Sequence, residues 1–277
     1  MAKIILCETQ MAKEPFVFSN TRVEVFSYEE LCYYIYNNQI LVTMDSIDGT
    51  LLSWLRTQVA LPQLAQELTE LMEKESPLED YLIKILMHKN FYSVDEIREF
   101  MSQYDSVRLL RPFEREKLIA DGYLRYRRYT KAISIYRQLL EEESTISDQH
   151  FLGNVYHNLG MALANNLQLS EASFCFLKAF TMNENELSLR SCFLVMASYE
   201  SENTVRLEMK KYHLPDTYFE AVMDEVKGAK EDLDNLQLYH RMQKAVYNRE
   251  HGDYKSYVKR MDNVLQEMKE TYREQTI

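Results

Sequence analysis

The stretch VYHNLGMALANNLQLSEASFCFLKAF, residues 155–180, places small and large side chains at the spacing of two successive helices. The first helix carries a face that mixes small and large residues, which are Tyr156, Leu159, Gly160 and Leu163. The second carries a face at steps of four and three residues, formed by Ala172, Phe176 and Ala179. Because small residues let two helix backbones approach closely, this pattern predicts two tightly packed antiparallel helices joined by a short turn.

These seven residues resemble the tetratricopeptide repeat, whose packing residues stand at positions four, seven, eight, eleven, twenty, twenty-four and twenty-seven. The proline that usually closes the repeat is Glu184 here, which loosens the expected link to the next repeat. A second match, EREKLIADGYLRYRRYTKAISIYRQLL, has equivalent residues at Ile119, Ala120, Tyr123, Tyr129, Ala132, Tyr136 and Leu139. The interval from Ala132 to Ala172 is 40 residues, against about 34 for the repeat. An inserted acidic connector, EEESTISDQH, fits the excess.

A weaker third match, YNREHGDYKSYVKRMDNVLQEM, closes the chain, with Gly252 and Tyr254 in its turn. Before it we expect a degenerate helix pair over residues 187–214 and one long amphipathic helix from Thr217 to Glu250, capped by Thr217 and Glu220. The expected apolar side of that helix consists of Phe219, Val222, Val226, Leu233, Leu236 and Val246. The resemblance covers residues 113–277, and it implies an α-solenoid of antiparallel helix pairs.

The first 45 residues have a different character, with short β-favouring runs at KIILC, FVF and VEVF. SNTR joins the last two runs and predicts a hairpin turn. Ser27 and Glu30 form a capping box that opens a helix, and this helix should end near Asn37 and Asn38. We therefore expect a small α/β cap over residues 1–45.

Residues 46–111 have a helical pattern and predict a packed helical subdomain. Ser76 with Pro77 and Glu79, and Ser93 with Glu96, mark two helix starts. In LPQLAQELTELM one apolar face is formed by Leu61, Leu64, Leu68 and Leu71. The predicted fold is thus mainly α, a TPR-like α-solenoid over residues 112–277 preceded by the cap and this subdomain.

Composition narrows the class of protein. The chain has 277 residues, 46% hydrophobic and 27% charged, with only six Gly and five Pro, which favours a helical globular protein. A net charge of −11 argues against nucleic acid as the main partner, because phosphate binding needs a basic surface.

No apolar run is long enough to span a membrane or to form a signal-peptide core. Cys7, Cys32, Cys175 and Cys192 lack zinc spacing and favour reduced thiols in the cytoplasm.

We find no pattern typical of an enzyme or of a bound cofactor. The six histidines include no metalloprotease motif, and the sequence has neither a glycine-rich phosphate loop nor a nucleophile elbow. His150 and His157 can share a helix face, but no cysteine or carboxylate is placed to complete a metal site. We therefore expect no catalytic residue, no metal and no cofactor.

One segment, residues 108–131, departs from the acidic balance of the chain. Its cations are Arg108, Arg111, Arg115, Lys117, Arg125, Arg127, Arg128 and Lys131. Tyr123, Tyr126 and Tyr129 lie between them and could stack on bases. The repeat pattern already uses Tyr123 and Tyr129 for helix packing, which argues against base stacking. We therefore expect the basic segment to bind an acidic partner protein or the acidic connector of this chain.

The resemblance also implies a concave groove lined by the first helix of each pair. Its candidate lining residues are Lys117, Asp121, Leu124, Asn154, His157, Asn158 and Met161. Lys117 and Asn158 match two positions with which some family members hold the carboxylate of a chaperone tail, whereas Asp121 would repel that carboxylate. The mixture of amide and apolar groups is typical of a groove for a peptide of another protein.

The sequence therefore predicts a non-enzymatic scaffold or adaptor that binds a protein or peptide in the groove of its repeats. Two alternatives stay open at this point. The first is a regulatory sensor in which a ligand in the groove repositions the N-terminal region. The second, less favoured, is an enzyme whose site lies in the first 110 residues.

Overall fold

A computed structural model describes residues 9–141, 146–233 and 236–276. The predicted strand KIILC, Cys7 and residues 142–145 of the acidic connector lie outside the described residues. The described chain is mainly helical, and its helices pack consecutively. It divides into two compact units, residues 1–126 and 127–277. The predicted boundaries at residues 45/46 and 111/112 remain predictions.

The first unit combines one two-stranded sheet with a set of helices. Its elements are β1 (Phe16–Val17), β2 (Glu24–Val25), α1 (Tyr28–Asn37), a 3-10 turn (Met44–Ser46), α2 (Gly49–Thr57), α3 (Pro62–Glu73), α4 (Leu78–Met87), α5 (Val94–Arg108) and α6 (Pro112–Arg125). The strands pair antiparallel, with Phe16 opposite Val25 and Val17 opposite Glu24. The predicted hairpin is therefore confirmed.

Helix starts in the first unit follow local side-chain chemistry. At α1 the Ser27 hydroxyl accepts a hydrogen bond from the Glu30 backbone N–H, and the Glu30 carboxylate accepts one from the Phe26 N–H. At α5 the capping box of Ser93 and Glu96 is complete. The helix start predicted at Ser76, Pro77 and Glu79 is present as α4, but its N-cap is Pro77 and no side chain caps it, so the capping role of Ser76 is wrong. Proline fixes an extended entry to the helix by itself.

Large apolar side chains fill the core of the first unit. Its fully enclosed members include Phe18, Tyr28, Leu31, Leu51, Tyr81 and Phe100. The Tyr28 hydroxyl donates to the Ile85 carbonyl at 2.6 Å, which satisfies a buried polar group. Burial raises the pKa of Tyr28 well above its ordinary value, so this phenol stays neutral. In α3, the predicted apolar face is buried at Leu61, Leu64 and Leu68.

All regular elements in the described residues of the second unit are helices. Its elements are α7 (Tyr129–Glu141), α8 (Gln149–Asn165), α9 (Leu169–Asn183), α10 (Glu186–Tyr199), α11 (Glu202–Lys211), α12 (Asp216–Leu233), α13 (Gln237–Glu250) and α14 (Tyr254–Thr276). Successive helices pack on one another from α7 to α10, α10 also contacts α11 and α12, and α13 packs on α14. Helix α14 also lies against α7, so the end of this unit returns to its beginning.

The predicted single helix from Thr217 to Glu250 is wrong, because two helices, α12 and α13, cover this part of the chain. Leu236 has extended backbone angles as the N-cap of α13. Its side chain is exposed, whereas the prediction placed it in the apolar core. Thr217 lies inside α12, which begins at Asp216, so it is not the cap.

Several helices end at a residue in the left-handed backbone region that is not glycine. These residues are Ala60, Glu75, Asn90, Arg127, Leu167, Glu184 and His213, with φ between 51° and 62°. Left-handed geometry lets the chain leave a helix while its last carbonyls stay hydrogen-bonded. The chain thus makes its short helix connections with few glycines, although Gly252 occupies such a position before α14.

Candidate functional site

The contact between α8 and α9 sets the position of every candidate residue on α8. Tyr156, Leu159, Gly160 and Leu163 of α8, and Ala172, Phe176 and Ala179 of α9, are buried. A methyl group added at Gly160 would lie 2.9 Å from the Phe176 ring. Real side chains do not approach so closely, so the ring occupies the space that glycine leaves. In α7, Ala132 and Tyr136 are buried as well.

Four candidate groove residues share a second face of α8. Asn154, His157, Asn158 and Met161 stand at steps of three, four and seven residues, which is the spacing of one helix face. The first three are half-buried, whereas the Met161 side chain is 39% exposed. This face therefore combines polar groups at intermediate depth with one accessible, flexible apolar side chain.

His157 links α8 to α10. Its Nδ1 lies 2.9 Å from the Oγ of Ser188, which is fully buried, and its ring meets the edge of Phe176 at 5.3 Å. Burial lowers the pKa of His157 below its ordinary value. The imidazole is therefore neutral at physiological pH and holds the two helices in register through a hydrogen bond.

Asn154 is held in place by its neighbours. Its Oδ1 accepts a hydrogen bond from Nδ2 of Asn183 at 3.2 Å, and its Nδ2 lies 3.3 Å from Nδ1 of His150. Gly153 makes this possible, because a Cβ there would lie 2.7 Å from the Asn183 side chain. The amide of Asn154 is therefore fixed in orientation before any ligand arrives.

The sequence reasoning did not find Asn183 and Ser188, which support this face from α9 and α10, or Gly153, which leaves room for the Asn183 side chain. Gly153 precedes Gly160 by seven residues, two helical turns, so it falls on the same side of α8. That spacing was a usable signal. Nothing in the sequence singles out Asn183 or Ser188, because both come from other helices.

The other candidates lie on α6 in the first unit. Lys117 Nζ and Asp121 Oδ2 form an ion pair at 2.6 Å, with side chains 17% and 24% exposed. Leu124 is half-buried on the same helix, Ala120 is buried and Tyr123 is half-buried. The ammonium group of Lys117 thus already has an anionic partner one helical turn away. This α6 set and the α8 set belong to different units.

Most groups of the basic segment that we can describe are engaged nearby. Arg108 pairs with Glu79 at 2.7 Å and Arg111 with Glu114 at 2.6 Å. The Tyr126 hydroxyl donates to Oδ1 of Asn38, and that of Tyr129 to Oδ1 of Asn165. Arg128 is buried. Base stacking would have to compete with these contacts. The proposed acidic connector falls partly on residues 142–145, outside the described residues.

Titratable groups in the described residues are dispersed. No three of the described His, Cys, Asp and Glu side chains stand close enough to hold a metal ion. Burial raises the pKa of Cys32, Cys175 and Cys192 to about 12, so these three thiols are not nucleophilic thiolates at neutral pH. No helix within the described ranges is both long and apolar enough to cross a membrane.

Comparison with protein-family models, with curated proteins and with solved structures finds no match for this chain.

Proposed function

We propose that this protein is a non-enzymatic interaction module of the cytoplasm, with TPR-like helix pairs that bind a peptide of another protein. The observation that carries this proposal is the face of α8 that bears Asn154, His157, Asn158 and Met161. Asn154 and His157 also contact α9 and α10, through Asn183, Phe176 and Ser188, whereas Asn158 is half-buried and Met161 is 39% exposed, so part of this face stays accessible.

The fixed orientation of the polar groups supports a binding role. Asn154 is oriented by Asn183 and His157 by Ser188, so a ligand would not have to order these side chains. Binding to groups that are already ordered costs less conformational entropy. Amides and a neutral imidazole suit the N–H and C=O groups of a peptide main chain better than they suit a charged ligand. The peptide is therefore recognised mainly through its backbone.

Met161 supplies the apolar contact in this proposal. Its accessible thioether can adapt to side chains of different shape, as methionines do at promiscuous protein surfaces. The α6 candidates Lys117, Asp121 and Leu124 remain predictions. A clamp for a chaperone-tail carboxylate is disfavoured, because Lys117 would have to release Asp121 first.

The assignment as a non-enzyme draws support from the raised pKa values of the three described thiols and from the dispersed titratable groups. A ligand-responsive sensor is the second candidate. The observation that favours it is the division of the chain into two compact units. A ligand that binds the second unit could then change the position of the first.

The test is affinity purification from the native host with the wild-type chain, a Met161→Glu variant and a Leu167→Glu control. Both changes put a carboxylate at an accessible apolar residue of the α8–α9 hairpin, but Leu167 is 80% exposed in the turn, away from the face. Partners that bind the face should fall at least tenfold in yield with Met161→Glu and stay with Leu167→Glu. Circular dichroism checks that both variants fold. Equal recovery with both variants would exclude this face as the binding surface.

A further inference from the structure

The last helix pair of the second unit, α13 and α14, buries few side chains. Of the residues described in these two helices, only Ala245 and Val264 are buried. The Arg249 guanidinium of α13 lies over the Tyr257 ring of α14 at 5.6 Å, so the side of α14 that carries Tyr257 and Val264 faces α13. Helices gain most of their stability by packing an apolar face against another element. A pair with so thin a core would gain stability from a further packing partner.

A second face of α14 is apolar and open to solvent. It is formed by Tyr254, Val258, Met261, Leu265 and Met268, which follow one another at steps of four, three, four and three residues. Met261 is half-buried, and the other four side chains are 43–65% exposed. Alternating steps of four and three residues are the spacing with which one helix packs along another helix. We name these five residues the α14 stripe.

The contact with α13 does not cover the α14 stripe. Val258 and Leu265 each follow a residue of the α13 side, Tyr257 and Val264, by one position. One position is a rotation of about 100° around a helix, so these two side chains point to a different side of α14. Val258 is 53% and Leu265 43% exposed, so no other described segment encloses them.

The α14 stripe is complementary to itself in an antiparallel arrangement. Its steps from Tyr254 to Leu265 are four, three and four residues, and they read the same in both directions. A second α14 helix that runs the opposite way therefore brings the partner's Leu265 against Tyr254. In the same register it brings the partner's Met261 against Val258. One surface can thus supply both sides of a two-fold symmetric interface.

The charges beside the α14 stripe favour the same register. Lys255 and Asp262 lie beside it on one side of the helix, seven residues apart, and neither forms an ion pair with a described residue. In the antiparallel register Lys255 lies beside the partner's Asp262, and the two-fold axis repeats this pair. Residues 254–261 carry three cations and no anion, so a parallel pairing would bring like charges together. The charges therefore select an antiparallel second copy.

The size of the α14 stripe agrees with a reversible dimer. The exposed parts of its side chains amount to roughly 400 Å² on each copy, the size of the largest apolar patch that a monomer usually exposes. With the stems of the lysine side chains beside it, two copies would bury about 1,000–1,200 Å², at the lower limit of specific interfaces. We therefore expect a dimer that forms at micromolar concentration and dissociates on dilution.

We propose that two copies of this protein associate through their α14 stripes, as a two-fold dimer with antiparallel α14 helices. Val258 and Met261 form the centre of the interface, and Lys255 pairs with the partner's Asp262 at its edge. The stripe lies on α14, whereas the proposed function uses α8, so the two surfaces are separate. The dimer carries two α8 faces and would bind two peptides at once.

The oligomeric state of the full chain in solution tests this proposal. Sedimentation equilibrium over about 1–100 µM should show a reversible monomer–dimer equilibrium for the wild type. Val258→Glu places a carboxylate at the centre of the interface on each copy, beside the partner's Asp262, and should weaken the dimer by about tenfold or more. Val94→Glu is the matched control, because Val94 is 64% exposed in α5 and lies outside the stripe, and it should leave the dimer unchanged. Circular dichroism checks that both variants fold.

A charge exchange tests the antiparallel register. Lys255→Glu opposes carboxylates in its own dimer and Asp262→Lys opposes ammonium groups, so each variant alone should dimerise about tenfold more weakly than the wild type at low salt. In an equimolar mixture the new carboxylate meets the new ammonium group, and the native Lys255 meets the native Asp262. The mixture should therefore recover the association of the wild type, and high salt should diminish this recovery.

Three results would overturn the proposal. They are a wild type that stays monomeric over this range, a dimer that Val258→Glu and Val94→Glu form equally well, and a mixture of the charge variants that associates no better than its components. A monomeric wild type that recovers a protein from the native host, when Val258→Glu does not and Val94→Glu does, would identify a different chain as the occupant and would overturn it as well.

The Met161→Glu variant separates this interface from the proposed function. It should dimerise as the wild type does, whatever its effect on the recovery of partners. The two proposals therefore fail independently, because one is read from the mass of the particle and the other from the proteins that it retains.

Discussion

The core of the first unit and the α8–α9 contact of the second unit are packed in different ways. The first fills its core with large side chains such as Phe18, Tyr28, Tyr81 and Phe100, which come from the strands and from several helices. The second brings α8 and α9 together by removing side-chain volume, at Gly160, Ala172 and Ala179. In a core of large side chains, neighbouring side chains can move to accommodate an added methyl group. Two helix backbones in close contact leave no such room. The α8–α9 contact should therefore tolerate added volume least.

The largest effect is expected for Phe176→Ala in the second unit. This ring is fully buried against Gly160, so its removal should lower the free energy of unfolding by about 3–5 kcal/mol. The neighbouring Phe174 is 62% exposed. Phe174→Ala should therefore change the free energy of unfolding by less than about 0.5 kcal/mol. Urea denaturation followed by circular dichroism measures both. Similar losses for the two variants would mean that the α8–α9 packing described above is incorrect.

A smaller effect is expected when a methyl group is added at a glycine in close contact with another helix. Gly160→Ala should cost about 1–3 kcal/mol, because the new methyl group displaces the Phe176 ring. Gly228→Ala in α12 meets no atom within 4 Å and should instead stabilise the protein by about 0.5–1 kcal/mol through helix propensity. The same chemical change thus has opposite signs at the two positions. Thermal or urea unfolding of both variants checks this, and a stabilising Gly160→Ala would contradict it.

The smallest effect concerns two half-buried histidines, one in each unit. Burial lowers the pKa of His157 and is the main cause of the lowered pKa of His88, where nearby Glu67 acts in the opposite direction. Below about pH 6.5 the unfolded chain takes up a proton that the folded chain resists, so stability falls as the pH falls. His157→Gln should flatten this slope more than His88→Gln does. Urea unfolding between pH 5.5 and 7.5 measures it, and unchanged slopes in both variants would refute it.

Sequence reasoning succeeded where one local signal determines the structure. The hairpin before α1, the capping of α1 by Ser27 and the box of Ser93 and Glu96 all depend on residues within a few positions of one another. The small residues of α8 and α9 also gave a clear pattern, because helix packing requires them at fixed steps.

It failed where two local signals compete or where distant parts of the chain meet. Pro77, and not Ser76, is the N-cap of α4, and Leu236, which the apolar pattern placed inside one long helix, is the N-cap of α13. Asn183 and Ser188 join the face on α8 from other helices.

The left-handed residues at the helix ends have a practical consequence. Residues with a Cβ pay about 1–2 kcal/mol for this conformation relative to glycine. Leu167, Glu184 and His213 each sit at such a position between helices of the second unit. Glycine at these ends offers a route to a more heat-resistant protein, and it leaves the side chains of the α8 face and of the α14 stripe untouched.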